Sequence, residues 1–142
     1  VKKHAGVKIA EHFSTIADPR IDRTKRHELM DIIVIAICAV ICGAEDWVAV
    51  EDIGKAKHEW LKGFLELPNG IPSHDWVLDI AFHEDDCRVR KDHEAQNLAI
   101  LRHIALNLLK RERTSKVGVK NKRLKAGWDQ RYLRKVLDVK PN

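Results

Sequence analysis

Apolar residues recur at helical spacing along most of the chain. Ile9, Phe13 and Ile16 stand at i, i+4 and i+7 on one stripe, which Asp18-Pro19 closes. Residues 27–43 form the deepest predicted element. Their apolar run, residues 32–42, leaves no polar face, as in a helix covered by neighbours, and Gly43 is placed to be its C′ residue. The run is rich in β-branched residues, which a buried strand would also use, but seventeen residues exceed an ordinary strand. Asp46 then suits the N-cap of a helix carrying Trp47, Val50 and Ile53, with Glu45 and Asp46 at its positive end. A further helix over residues 58–65 buries Trp60, Leu61 and Phe64. Residues 67–72, with two prolines and Asn69-Gly70, can only turn.

Past this turn, residues 76–82 are short and ambiguous between helix and strand. Asp92-His93-Glu94 marks a helix start, and Ala95, Leu98, Leu101, Ala105 and Leu108 follow on one face that Ile104 and Leu109 widen. This is the strongest amphipathic signal in the chain. Residues 114–118 break it, and two short basic helices over residues 120–126 and 129–137 complete the sequence. No stretch carries several period-2 strands in series, so the expected fold is all-α: a small assembly of about six or seven helices, either one body or two loosely packed halves.

The chain has 142 residues, which fits one small domain or two half-domains sharing a core, and its 44% hydrophobic content suffices for that core. An apolar run of eleven residues falls short of the roughly 18 that a bilayer span needs, so no membrane partner is expected. Residues 1–20 carry acids and lack a long apolar stretch, unlike a secretory signal. The three cysteines, Cys38, Cys42 and Cys87, do not read as a disulfide framework, which fits a cytoplasmic setting. Val rather than Met stands first, as in a fragment or after an alternative start codon.

Charge is unevenly spread. Residues 1–75 carry ten basic and twelve acidic residues, a net of −2, whereas residues 76–142 carry a net of +7. Beyond Leu101, thirteen basic residues stand against only Glu112, Asp129 and Asp138. A basic tail on a near-neutral body points to a polyanion, most often nucleic acid, or else to a solvated face with no partner. Its basic residues include Arg111, Arg113, Lys116, Lys120, Lys122, Arg123, Lys125, Arg131, Arg134 and Lys135, the candidate DNA-binding set. They are interleaved with Val117, Val119, Leu124, Trp128, Tyr132 and Leu133, apolar residues whose spacing would let short helices dock while the charges face phosphates. Lys110, Arg111 and Arg113 also suit the negative end of the preceding helix, which by itself accounts for them.

Catalytic chemistry is not evident in the residues. The acids Asp79, Glu84, Asp85 and Asp86 could hold Mg²⁺, but contiguous carboxylates diverge, and Arg88, Arg90 and Lys91 can neutralise them. A salt-bridged loop or helix-capping acids explain the cluster better than a metal site does. His74 with His83, and His93 with His103, have no zinc spacing, and Cys38 and Cys42 lack a second pair. Cys38 and Cys42 serve as small hydrophobes, and Cys87 follows three acids that raise a thiol pKa. No phosphate-cradling loop or nucleophile motif is present.

The stretch HELMDIIVIAICAVICGAEDW at residues 27–47, with NGIPSHD at residues 69–75, resembles the N-terminal segment of insertion-sequence DDE transposases, the group that includes the H-repeat-associated proteins. WVLDIAFHEDDCRVR at residues 76–90 and NLAILRHIALNLL at residues 97–109, running on to Lys122-Arg123 and Tyr132-Leu133, resemble that family's C-terminal segment. The resemblance implies a boundary at Asp75–Trp76, dividing a helical segment 1–75 from a basic segment 76–142. In full-length members a ribonuclease-H-like core lies between these motifs and supplies two catalytic aspartates and a glutamate. None of the three maps onto this chain, and Glu84-Asp85-Asp86 lies downstream of them.

The resemblance therefore implies an internally deleted, inactive transposase, with no catalytic residue, no cofactor of its own, and Mg²⁺ used only by full-length relatives. DNA is the expected partner. The alternatives are a helical module that associates with intact transposase or with itself, and a decayed remnant without function.

Overall fold

The computed structural model describes residues 29–77 and 90–138, and every regular element among them is helical. The Ile9–Phe13–Ile16 stripe, the acids Asp79 and Glu84 to Asp86, His83 and Cys87 lie outside the described residues.

The first helix, α1 (Leu29–Ile41), buries ten of its thirteen residues. Val34, Ile37, Ala39 and Ile41 are wholly buried, and each large aliphatic side chain so placed contributes roughly 1.5–3 kcal/mol. The helix stops where Gly43 adopts φ +110°, a conformation costly for any residue with a Cβ. Gly43 N–H donates to Val40 O at 3.1 Å and Ala44 N–H to Ala39 O at 2.9 Å, the paired bonds of a Schellman C-cap.

Asp46 then opens α2 (Trp47–Ala56), its carboxylate accepting from Ala49 N–H at 2.7 Å. Trp47 and Val50 point inward as expected. Gly54 lies against Ile35 of α1, where a Cβ would stand only 3.2 Å from Ile35 Cγ2. Helix α3 (His58–Lys62) buries Leu61 and sets Trp60 edge-on to Phe64, with ring centroids 4.9 Å apart. The following turn uses positive φ at Leu67 and Gly70, closed by Gly70 N–H on Leu67 O, and leads to the single helical turn α4 (His74–Trp76).

Helix α5 (Arg90–Arg111) already contains Asp92, so the expected start at Asp92 falls inside it. Arg90 and Lys91 are good helix formers, and nothing there breaks the helix. Leu98, Ala105, Leu108 and Leu109 are buried, and Leu101 and Ile104 flank them, the stripe read from the sequence. Two short helices follow, α6 (Val119–Trp128) and α7 (Gln130–Leu137), separated by Asp129, which caps α7 by accepting from Arg131 and Tyr132 N–H.

Helix α1 occupies the centre, touching α2, α5 and α6, while α5 also packs on α6 and α7. Buried residues from Ile32 through Leu137 join in one apolar cluster. Among the described residues, both segments thus contribute to a shared core. A helix apolar on every side needs cover from both segments, and the basic helices supply part of it.

Candidate nucleic-acid interface

The ten basic residues singled out in the C-terminal segment divide into two groups. Lys122 is only 7% exposed. Its ammonium donates to Leu109 O at 2.8 Å and to Glu112 O, carbonyls at the end of α5 with no helical partner of their own. Arg123 reaches the end of α1, donating to Val40 O at 3.0 Å and Ile41 O at 3.4 Å. In both cases a cation sits at the negative end of a helix. Lys125 lies over the Tyr132 ring, 4.6 Å from its centroid. Arg134 stacks 4.9 Å from the Phe64 ring and pairs with Asp138 at 3.1 Å. Lys122 is therefore turned inward, while Arg123, Lys125 and Arg134 are half-buried and each also makes a contact within the fold.

Arg113, Lys116, Lys120, Arg131 and Lys135 are exposed, and Arg111 is half-buried. None of the six makes an ion pair with a described residue. The acids that could have neutralised them are committed elsewhere. Asp129 caps α7 and Asp138 pairs with Arg134.

Glu112 is only 2% exposed and accepts from Tyr132 Oη at 2.7 Å, Thr114 N–H at 2.8 Å, Ser115 N–H at 3.4 Å and the Thr114 hydroxyl. Burial pushes its carboxyl pKa up, but the Thr114, Tyr132 and Ser115 hydrogen bonds outweigh this and hold it below the usual carboxylate value. Tyr132 moves the other way, raised by burial and by its bond to the Glu112 anion. The buried anion thus fixes the α5–α7 corner and leaves the outer bases uncompensated.

The apolar residues among these bases do not all dock, contrary to expectation. Val119 packs on the core and Tyr132 and Leu133 are buried, but Val117, Leu124 and Trp128 face outward, Trp128 with 75% of its surface exposed. The inward face of α6 is formed instead by Ala126 and Lys122. A lysine turns inward there because its stem packs while its head reaches the α5 carbonyls.

A second polar constellation, between α2 and α4, went unread in the sequence. Glu51 accepts from His74 N–H at 2.9 Å and from His74 Nδ1 at 2.7 Å, and it also pairs with Lys55. The Lys55 hydrogen bond, then the two from His74, lower the Glu51 pKa to about 2. His74 is raised by Glu51, and Asp75 lies 3.3 Å from its Nε2. The pair ties the NGIPSHD turn to α2 across 23 residues, a separation that no local pattern reveals. Burial raises the pKa of the Cys38 and Cys42 thiols, so both behave as apolar groups. Among the described residues, no three His, Cys, Asp or Glu converge as a metal site.

The described residues thus form an all-helical body with an outward set of bases and no converging metal-binding side chains. The chain belongs to the DDE_Tnp_1-associated family, which matches residues 10–91. The chain is 43% identical over 73 residues to "Inactive transposase YbfQ" of Escherichia coli K12, covering 51% of this chain and 87% of that one. It is 40% identical over 84 residues to "H repeat-associated putative transposase YbfD" of the same strain, covering 54% and 33%. It is 53% identical over 64 residues to "Uncharacterized protein in dhlA 3′ region" of Xanthobacter autotrophicus, covering 44% and 22%. The chain thus spans 22% and 33% of the length of the last and the second of these relatives. No solved structure matches it.

Proposed function

We propose that this chain is an internally deleted member of its transposase group that binds DNA but does not cut it. The observation that carries the reading is the division of charge in the C-terminal segment. Glu112 is buried, Asp129 caps α7 and Asp138 pairs with Arg134, while Arg113, Lys116, Lys120, Arg131 and Lys135 remain outward, with Arg111 at their edge. Such a surface positions a phosphate backbone without reading its sequence. Strand transfer on two metal ions needs carboxylates from separate elements converging on one point, and on this reading those residues belong to a segment deleted at Asp75–Trp76. The relation to an inactive transposase, 87% of whose length is covered, supports the same reading.

The test is incubation of the purified chain with supercoiled plasmid and Mg²⁺. A mobility shift without nicked or linear product is expected. Nicking that requires Mg²⁺ and is lost in Asp85→Ala would overturn the proposal.

A second reading, association with intact transposase, draws on a different feature. An apolar cleft of about 140 Å³ between α1, α2 and α5 is lined by Ile32, Ile33, Ala36, Trp47, Leu101 and Ile104. Co-purification with a full-length relative and no DNA shift would favour it.

A further inference from the structure

We propose that Trp128 is a base-stacking residue, and that the stripe Lys120–Leu124–Trp128 on α6 takes the unpaired bases of a DNA strand. This rests on the DNA-binding reading above and adds to it a preferred form of nucleic acid. The three residues stand at i, i+4 and i+8, so they lie in one row along the helix. Ala126 and Lys122 face the core, and at 100° per residue that row falls on the opposite side of α6. Leu124 is 49% exposed and Trp128 75% exposed, the most exposed large apolar side chain among the described residues.

The backbone beneath the indole is held at several points. Gly127 O accepts from Lys57 Nζ at 3.0 Å, Ala126 O takes the Cys42 thiol at 3.8 Å, and Asp129 N–H donates to Lys125 O at 2.8 Å. Asp129 then caps α7 at once, so Trp128 sits on a fixed corner between two helices. With its backbone fixed, the residue gives up only side-chain freedom when a base stacks on its ring.

The surroundings select the occupant. Lys120 lies in the same row and Arg131 three residues beyond the indole, both exposed and without an ion pair to a described residue. An apolar protein surface docking here would have to strip water from these bases with no charge in return. A single strand supplies both complements, a π-face for Trp128 and phosphates for Lys120 and Arg131. Intact duplex supplies only the second, because its base faces are already stacked. The occupant is therefore single-stranded or frayed DNA.

The experiment measures the full chain binding to fluorescein-labelled oligothymidylate and to a duplex of equal length by anisotropy, each at several salt concentrations. Trp128→Ala should lose about 5- to 150-fold in affinity for oligothymidylate, the range for one stacked base. Its salt slope should not change, because no charge is removed, and duplex affinity should change less than twofold. Trp128→Phe should retain most of the affinity. Matching circular dichroism and melting temperatures confirm that an exposed side chain was changed in a folded protein.

If wild type binds with a steep salt slope and Trp128→Ala binds oligothymidylate equally well, stacking is overturned while the DNA-binding reading stands. If wild type binds neither probe, both are overturned. If Trp128→Ala keeps its DNA affinity but converts a dimer to a monomer on sedimentation, the stripe belongs to a second copy of the chain and the proposal is overturned.

Discussion

Lys122→Met and Lys120→Met separate the two uses of basic residues on α6. Lys122 is buried and spends its ammonium on Leu109 O and Glu112 O, whereas Lys120, two residues earlier, is exposed. Methionine keeps the apolar stem of Lys122 and removes the charge, leaving the α5 carbonyls short of donors. Hydrogen bonds to a charged group are worth about 1.5–3 kcal/mol each, and carbonyls keep a second lone pair that can find other donors, so a loss of about 2–4 kcal/mol is expected. At this chain length about 3 °C accompanies each kcal/mol, giving a fall of about 6–12 °C in melting temperature. The salt slope of DNA binding should stay at its wild-type value, measured at a temperature where the variant is folded. Lys120→Met should do the reverse, leaving the melting temperature within about 2 °C and making the slope shallower by about 0.9. Differential scanning calorimetry and anisotropy titrations read the two effects. A Lys122→Met protein that melts like wild type and loses one unit of salt slope would refute the division of roles.

Two further outcomes follow from the core and from the α2–α4 contact. Gly54→Ala should lower the melting temperature although alanine favours helix by about 1 kcal/mol, because its Cβ would stand 3.0 Å from Ile71 Cγ2 and 3.2 Å from Ile35 Cγ2; a rise would refute the close approach of α2 to α1. Stability should depend on pH through Glu51 and His74, facing Lys55, Asp52 and Asp75. His74 has its pKa raised on folding, so its contribution is complete below about pH 6.5 and is lost as pH rises through the raised value. Glu51 is lowered to about 2, so its contribution is complete above its ordinary value and is lost as pH falls toward about 2. Melting curves of His74→Gln should lose the alkaline limb, and an unchanged limb would exclude His74 as its source.

Much of the helical scaffold can be read locally. Gly43 after an apolar run and Asp46 before Trp47 are signals complete within a few residues, and both appear where expected, as a Schellman cap and an N-cap. The α5 stripe, its break and the two basic helices are equally local. What the pattern could not show is direction among basic residues. Lys120 and Lys122 look alike in sequence, and only the bare carbonyls at the end of α5 turn one of them inward.

Leu124 and Trp128 posed the converse problem. Their apolar character suggests docking, but Lys122 and Ala126 take the inward face and they remain outside. The Glu112–Tyr132 and Glu51–His74 pairs join residues 20 and 23 positions apart. Such contacts exist only once tertiary structure brings the partners together, and for Glu112 a count of charges alone suggests a solvated acid.

The salt dependence of duplex DNA binding by the wild-type chain tests the central claim most directly. With Arg111, Arg113, Lys116, Lys120, Arg131 and Lys135 each neutralising one phosphate, log K against log salt should fall with a slope of about −5. A flat response, or no measurable complex at 50 mM salt, would contradict the account.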